Sequence, residues 1–240
     1  MISHKHKCIF IHIPKTAGMS IEDSFIRSLG LKFFKGQCPP LLLSYNQDQT
    51  IGPRSLAHLI PGDYVNKSYL SQELFDQYYK FSFVRNPWAR AVSIYKYFQY
   101  HRILTFTDFM RYRFPELWES RYDFVRPQVD FLYNNLGEQV VDFIGKFENL
   151  KEDFEIVRKQ LAHPVEDLSH INKPPQPHNW YSRWNRRFLF AELKEHPHLL
   201  RHINLFSPVQ ATYNEYYTRK AHELVENYYR KDIEILGYEF

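Results

Sequence analysis

The stretch that decides the fold is CIFIHIPKTAGMSIEDSF, residues 8–25, in which an apolar run gives way to a helical pattern within a few positions. A short continuous apolar run is typical of a buried strand, and residues 8–13 form such a run. Apolar residues then recur every four positions, which predicts a helix over residues 20–29 that ends at Gly30. The connection needs turn residues but not a lysine, so Lys15 in the turn requires an explanation of its own.

The same order of strand, turn and helix recurs later in the chain. The apolar run 79–84 meets RNPW at 85–88, and a helical pattern continues to about residue 100. Further helices are predicted at 105–113, 127–135, 149–162 and 213–236, and a short strand at 140–147. Strands that alternate with helices predict an α/β protein with a mostly parallel sheet, and the length fits a single domain over residues 1–240.

Residues 172–210 depart from this order, because proline, arginine and aromatic residues break any regular pattern there. Long segments of this kind in compact domains are usually functional or disordered. The segment is therefore predicted to be an insertion, or a lid over a site. An irregular packing segment remains the alternative.

The composition limits the classes of partner. The 31 Lys and Arg residues exceed the 27 Asp and Glu residues by a net charge of +4 with His neutral. So small an excess fits an anionic small ligand or an acidic polymer and does not by itself imply nucleic acid, so we expect no nucleic-acid partner. A hydrophobic fraction of 44% indicates a packed globular protein rather than a disordered one.

The cysteine content and the hydropathy bear on the location of the protein. Cys8 and Cys38 are too few for a disulfide framework, which favours a reducing compartment. No signal-peptide pattern precedes the first apolar run, and no stretch approaches the ~20 apolar residues that cross a bilayer. We therefore expect a cytoplasmic location without a transmembrane segment, and an excised luminal domain of a membrane enzyme stays open as the alternative.

Both strand–turn–helix units carry a cation at the turn, Lys15 in the first and Arg85 in the second. A helix start exposes up to four N–H groups and partial positive charge, so each turn is a candidate anion site. In a parallel sheet both turns lie at the carboxyl ends of the strands, and two anion sites there suit a nucleotide with phosphate on its 5′ and 3′ sides. Each turn also has an ordinary explanation, a solvated lysine in the first and an arginine paired with a carboxylate in the second.

The residues of these two turns resemble a known family. FIHIPKTAGMSI (10–21) and FSFVRNPWARAVSIYKYF (81–98) are similar to the 5′-phosphosulfate loop and the 3′-phosphate motif of sulfotransferases that use 3′-phosphoadenosine-5′-phosphosulfate (PAPS). The resemblance is to the carbohydrate branch, sulfotransferase family 2, which includes heparan and chondroitin sulfotransferases and bacterial relatives. RPQVDFL, DFIGKFENLKEDF and ENYYRKDIEILGY extend the similarity over most of the chain, at 126–132, 142–154 and 226–238.

This resemblance implies a three-layer P-loop-NTPase-like fold and a role for each motif residue. Lys15 would stabilise the leaving oxygen, and Arg85 with Ser93 would hold the 3′ phosphate. The 5′ phosphosulfate would be held by the backbone amides of Thr16, Ala17, Gly18 and Met19, together with Ser20. Met19 replaces the usual threonine or serine, which removes one side-chain donor. No metal is expected, because Lys15 and the amides neutralise the charge.

Two further assignments concern the residue that takes the proton and the residues that bind the acceptor substrate. His58 lies between the two nucleotide motifs, where relatives carry a histidine that acts as general base, and a histidine that packs under a loop is the alternative. His12 is expected to be structural, and Arg90, a rival cation to Arg85, is expected on a helix flank. The candidate acceptor-binding residues are His58, Trp180, Arg183, Trp184 and Arg186, because aromatic rings stack on sugars and arginines pair with carboxylates or sulfates.

The expected function is sulfuryl transfer from PAPS to a hydroxyl group, with a carbohydrate as the favoured acceptor. Two alternatives remain. A nucleotide kinase would need a glycine-rich phosphate loop, which the single glycine of PKTAG does not provide. A sulfotransferase-like protein that only binds a nucleotide or a glycan is the other, and the combination of Lys15, His58, Arg85 and Ser93 speaks against it.

Overall fold

The computed structural model describes residues 1–32, 34, 37–168, 183–204 and 210–240, with the side chains of 183–187 left out. Proximity of Cα atoms divides the chain into two compact units. The first comprises Met1–Arg85 and Arg126–Asn172, and the second comprises Asn86–Val125 and Lys173–Phe240. The expectation of one domain over residues 1–240 stays a prediction.

The described residues contain four strands and ten α-helices. The strands are β1 (Ile2–Ser3), β2 (Cys8–Ile11), β3 (Tyr79–Val84) and β4 (Phe143–Lys146). The helices are α1 (Gly18–Ser28), α2 (Pro61–Asn66), α3 (Gln72–Gln77), α4 (Pro87–Tyr97), α5 (Phe106–Asp108), α6 (Phe114–Ser120), α7 (Tyr122–Val125), α8 (Leu150–Gln160), α9 (Arg183–Glu195) and α10 (Arg219–Leu236). None of these helices combines the length and the apolar composition needed to cross a membrane.

The four strands form one sheet in the first unit, in the order β1-β2-β3-β4. β1 is antiparallel to β2, whereas β2, β3 and β4 are parallel to one another. The prediction of an α/β protein with a mostly parallel sheet is confirmed as a mixed four-stranded sheet. The parallel pairing places Phe10 opposite Phe81 and Phe81 opposite Phe143, so these residues share one face of the sheet.

The core of the first unit covers that face with α1 and α8. The buried side chains that meet there include Phe10, Ile21, Phe25, Phe81, Phe83, Phe154 and Val157. Burial of each large apolar side chain contributes roughly 1.5–3 kcal/mol, so the contact fixes α1 firmly against the sheet. The amino end of α1 is thereby held at the carboxyl end of β2.

The second unit is a helical body rich in aromatic residues, built around α4 and α10. Arg90 of α4 is fully buried in it, where its guanidinium donates to the carbonyl of Phe124 at 3.3 Å and lies 5.4 Å from the ring centroid of Tyr229. The Tyr229 hydroxyl donates to the carbonyl of Val125 at 2.7 Å. Arg90 thus lies on the side of α4, as expected, and it is buried there rather than exposed.

Several predicted boundaries shift for local reasons. The last helix begins at Arg219 rather than at residue 213, because the Thr218 hydroxyl caps it by accepting from the amide of Ala221. The helix predicted at 127–135 is only the short 3₁₀ turn Gln128–Phe131. The helix predicted at 105–113 is α5 followed by the π-helical turn Phe109–Arg113.

The segment 172–210 is partly regular, contrary to the sequence prediction. Residues 183–195 form α9, whose Phe188, Leu189 and Leu193 pack against the core of the second unit. Glu192 accepts a hydrogen bond from the Tyr100 hydroxyl at 2.5 Å. The apolar spacing that should have revealed this helix was obscured by the prolines and arginines before it. Residues 172–182 and 205–209 of the predicted segment fall outside the described residues.

Candidate functional site

The turn between β2 and α1 has an unusual backbone. Lys15 and Ala17 have φ angles of 74° and 70°, the left-handed region that costs a residue with a side chain roughly 1–2 kcal/mol. Thr16 between them is fully buried, and its hydroxyl donates to the carbonyl of Ile13 at 2.9 Å. The Thr16 side chain therefore braces the turn, and only its backbone amide is available to a ligand.

The amino end of α1 is open. Ala17 is the N-cap and offers no side-chain cap, and the first amide with a backbone acceptor is that of Ser20, which donates to the Ala17 carbonyl at 2.9 Å. Within the described part of the chain, the amides of Thr16, Ala17, Gly18 and Met19 have no acceptor. Four successive donors and the positive end of the helix dipole make this turn suited to an anion.

Arg85 reaches this turn from the neighbouring strand. Its Nη1 donates to the carbonyl of Lys15 at 3.3 Å, and its guanidinium carbon lies 4.1 Å from the ring centroid of Phe147. Gln128 fixes the backbone of Arg85 by accepting from its amide and donating to its carbonyl, both at 2.8 Å. The two cations predicted from sequence thus belong to one cluster, as expected for the carboxyl ends of adjacent parallel strands.

The electrostatics of Lys15 agree with an anion-binding role. Burial, with the positive charge of Arg85, lowers the pKa of Lys15 from 10.5 to about 8. A cation held partly desolvated beside another cation is unfavourable in the free protein, and an anion relieves that cost. The charges at this turn therefore do not stabilise the folded state of the free protein.

The start of α4 differs from the start of α1. The Asn86 side chain accepts from the amides of Trp88 at 3.0 Å and Ala89 at 3.2 Å, and Pro87 supplies no amide hydrogen. The prediction that this helix start also offers amides to an anion is wrong, because Asn86 occupies them. Ser93 lies half-buried on α4, and its predicted contact with the 3′ phosphate stays a prediction.

His58 lies on the 3₁₀ turn Leu56–His58 and is half-buried. Its ring meets the ring of His12 edge to face, with the centroids 5.0 Å apart. The sequence did not indicate that His12 pairs with Glu22, yet Nδ1 of His12 lies 2.6 Å from Oε1 of Glu22. The i to i+10 spacing across a strand–turn–helix connection was the signal that could have suggested this pair.

Gly18 is explained by the same cluster. A Cβ atom added at Gly18 would lie 2.0 Å from Nε2 of His12, far inside van der Waals contact. Only glycine therefore permits the buried His12 ring to lie against the first turn of α1. Met19 is 43% exposed at that turn and Ser20 is 7% exposed, and their predicted contacts with the ligand stay predictions.

Of the predicted acceptor residues, only His58 has a side chain among the described residues. Trp180 lies outside the described residues. Arg183, Trp184 and Arg186 belong to α9, but their side chains fall outside the described part of the chain. Among the described residues, no group of three His, Cys, Asp or Glu side chains has the arrangement of a metal site.

A cavity of about 480 Å³ lies at the opposite end of α1, beside Ser28. Its charged and ionisable wall residues have mixed signs: Lys5, Arg158, His163, Glu166 and Asp167. Because Arg158 is already paired there with Asp167 at 2.6 Å, this cavity lacks the surplus of positive charge found at the turn.

Comparison with known proteins agrees with this geometry. An uncharacterized protein of Archaeoglobus fulgidus is 38% identical over 106 residues, which cover 43% of this chain and 83% of that protein. No solved structure matches the chain. A family model described as "Sulfotransferase family" matches residues 1–239. Because this match covers nearly the whole length of the chain, the chain belongs to the sulfotransferase family.

Proposed function

We propose that this protein transfers the sulfuryl group of PAPS to a hydroxyl group of a carbohydrate. The observation that carries the proposal is the convergence of four open amides with Lys15 and Arg85 at one turn. A mixed anhydride of phosphate and sulfate, with a further phosphate on the ribose, has the anionic groups that such a cluster favours. The proposal includes a three-layer P-loop-NTPase-like fold for the whole chain.

The first task of the chain is to hold the donor and neutralise its charge. Sulfuryl transfer resembles phosphoryl transfer, in which attacking and leaving oxygens lie in line and charge spreads over the non-bridging oxygens. The amides of residues 16–19, with Ser20, bind the 5′ phosphosulfate. Lys15 donates to the leaving phosphate oxygen as negative charge develops on it.

The second task is to select a nucleotide with a 3′ phosphate. Arg85 supplies a planar guanidinium whose position is fixed by Phe147 and Gln128. A guanidinium that is already ordered loses little entropy when it binds a phosphate. Ser93 adds a hydroxyl donor. The start of α4 contributes no amides, so this part of the site depends on side chains.

The third task is to take the proton of the acceptor hydroxyl, which we assign to His58. An imidazole titrates near neutral pH and suits a general base. His58 contacts His12, which lies against the first turn of α1, so it is in the neighbourhood of the anion-binding turn. Trp180, Arg183, Trp184 and Arg186 are proposed to bind the sugar by stacking and by ion pairs.

The proposal is tested by incubating the protein with PAPS, without metal, and a panel of acidic and neutral glycans beside simple alcohols. We expect release of 3′-phosphoadenosine-5′-phosphate and a glycan that gains one sulfuryl group. The matched control is adenosine-5′-phosphosulfate, which lacks the 3′ phosphate and should be a much poorer donor. Equal use of the two donors, or no transfer to any acceptor hydroxyl, would contradict the proposal.

A further inference from the structure

The ring of His12 is held on several sides, which is unusual for a histidine beside an anion-binding turn. Phe10 stacks on it with the ring centroids 5.5 Å apart and the planes 15° from parallel. Nδ1 is hydrogen-bonded to Glu22, and Nε2 lies where the Cβ of residue 18 would be. His58 completes the set with its edge-to-face contact. The His12 ring therefore has one orientation.

Glu22 determines the state of this ring. The carboxyl group is only 2% exposed, and a buried carboxylate needs a close donor. An ionised carboxylate can only accept, so Nδ1 of His12 carries the hydrogen of the 2.6 Å bond. The hydrogen bond to Glu22 thus fixes which ring nitrogen of His12 carries the hydrogen.

The two histidines differ in their surroundings. His58 is half-buried on a 3₁₀ turn, whereas His12 is 6% exposed at the end of a core strand. In an edge-to-face contact the position of the fixed ring limits the plane of the other ring. Glu22, His12 and His58 thus form a series that begins at a buried carboxylate and ends at a half-exposed imidazole.

We propose that His12, oriented by Glu22, is a positioning residue that sets the ring orientation and the proton affinity of His58. The inference rests on the proposed role of His58 as proton acceptor. A carboxylate that orients a histidine is a recurring arrangement in proton transfer, and here the orientation passes on through a second ring. His12 acts through His58 and takes no proton from the acceptor itself.

The charges around the series give the sign of the effect. Glu22 is the acidic member, and a nearby negative charge favours the protonated form of a histidine. Two further titratable groups interact with Glu22: Tyr64 on α2, whose pKa is raised by burial, and the amino group of Met1, whose pKa is lowered to about 6 by burial. Tyr64 stays neutral, and the amino group carries a positive charge only below about pH 6, so Glu22 gives the sign of the effect above that pH.

The test follows the ring signals of His12 and His58 by NMR in the ligand-free protein between pH 5 and 9. In Glu22→Gln the midpoint of the His58 titration is expected to fall by a few tenths of a pH unit, because the negative charge that favours the protonated imidazole is removed. The matched control is Asp23→Asn, which removes the same charge from the next position of α1, where Asp23 pairs with Arg27 at 2.7 Å. Asp23→Asn is expected to leave the midpoint in place.

A purely structural role for the pair would leave the His58 midpoint unchanged in Glu22→Gln, and that result overturns the inference. Glu22→Asp keeps the charge and serves as the conservative variant, with most of the wild-type midpoint restored. If Glu22→Gln does not fold, Glu22→Asp decides between the two outcomes. Its shorter side chain moves the carboxylate away from Nδ1 of His12, so a small change of the His58 midpoint supports the inference and no change overturns it.

The pH profile of the enzyme gives a second measurement that is independent of the NMR titration. In Glu22→Gln the acid limb of the pH profile of kcat should move to lower pH by the same amount, while the affinity for 3′-phosphoadenosine-5′-phosphate is retained. A shifted His58 midpoint without any sulfuryl transfer in the wild type would keep the positional inference and remove the proposed function. Sulfuryl transfer by the wild type together with an unchanged His58 midpoint in Glu22→Gln would keep the proposed function and remove the inference about His12.

Discussion

The two strand–turn–helix connections of this chain have the same plan in sequence and opposite chemistry in structure. At the start of α1, Ala17 provides no cap and four amides remain open. At the start of α4, the Asn86 side chain accepts from two amides and closes the helix end. The cation before each helix is therefore used differently, since Lys15 sits on an open helix end and Arg85 precedes a closed one.

The difference shows that a helix start becomes an anion site only where the chain leaves its donors unused. Asn is among the best N-cap residues, whereas Ala is a poor one. The left-handed φ angles of Lys15 and Ala17 add a cost that the α4 turn avoids. An energetically unfavourable turn that persists in a fixed surrounding is typical of a functional site.

The largest effect is expected for Lys15→Ala. Loss of one preorganised donor to a developing anion typically lowers kcat by about 10²–10³-fold. Thermal stability at pH 7 should not fall, because the lowered pKa means that the folded state favours neutral Lys15 and bears a cost for its charge below about pH 8. Lys32→Ala, at an exposed position, is the control. Wild-type kcat in Lys15→Ala would refute the role of the open turn.

Arg85→Ala tests the side-chain site beside the closed helix end. The affinity for 3′-phosphoadenosine-5′-phosphate relative to 5′-AMP is expected to fall by roughly 10–100-fold, the value of one hydrogen bond to a charged group. Competition calorimetry measures the ratio. Arg158→Ala serves as control, because Arg158 pairs with Glu155 and Asp167. An unchanged ratio would show that the 3′ phosphate is recognised elsewhere.

The pH dependence of binding distinguishes the open turn from any site without Lys15. A bound anion favours charged Lys15 and raises its pKa above the value of about 8 in the free protein. Affinity should therefore be level from pH 7 to 8 and fall above pH 8, by at most tenfold per pH unit for one proton. Isothermal titration across pH 7–9.5 measures this slope. A slope that persists in Lys15→Ala would assign the proton to another group.

The smallest effects are expected for the caps themselves. Asn86→Ala should lower the free energy of unfolding by about 1 kcal/mol, because two amides lose their acceptor. Ala17→Gly should raise it by up to about 1 kcal/mol, because glycine adopts the left-handed conformation without the steric cost. Urea denaturation measures both. Equal changes of the same sign would contradict the contrast between the two helix ends.

The sequence predicted the parts of the fold that depend on local patterns. The apolar runs correctly located β2, β3 and β4, and the four-residue spacing located α1, because continuous burial and a 3.6-residue period are visible in residue order. The α9 helix was missed, since its stripe rests on three apolar residues among arginines. The late start of α10 depends on the Thr218 cap, which only the hydrogen bond reveals.

The sequence predicted which cations belong to the candidate site, but not the contacts between its side chains. Lys15 and Arg85 were found because turns after parallel strands lie at one edge of a sheet. That Asn86 closes α4 was readable from its place before Pro87 and yet was not inferred. The Glu22–His12 pair was not inferred, because the i to i+10 spacing becomes a contact only through the way α1 folds back along β2 and through the absence of a side chain at Gly18.

The central claim is that the open turn of α1 and Arg85 together bind a nucleotide with phosphates on both sides of the ribose. The most direct test is calorimetric titration of the wild-type protein with 3′-phosphoadenosine-5′-phosphate, beside 5′-AMP and ATP, without magnesium. The account predicts binding of the bisphosphate at least about tenfold tighter than either other nucleotide, as one charge-assisted hydrogen bond requires. Equal binding of the three, or no binding of the bisphosphate, would contradict it.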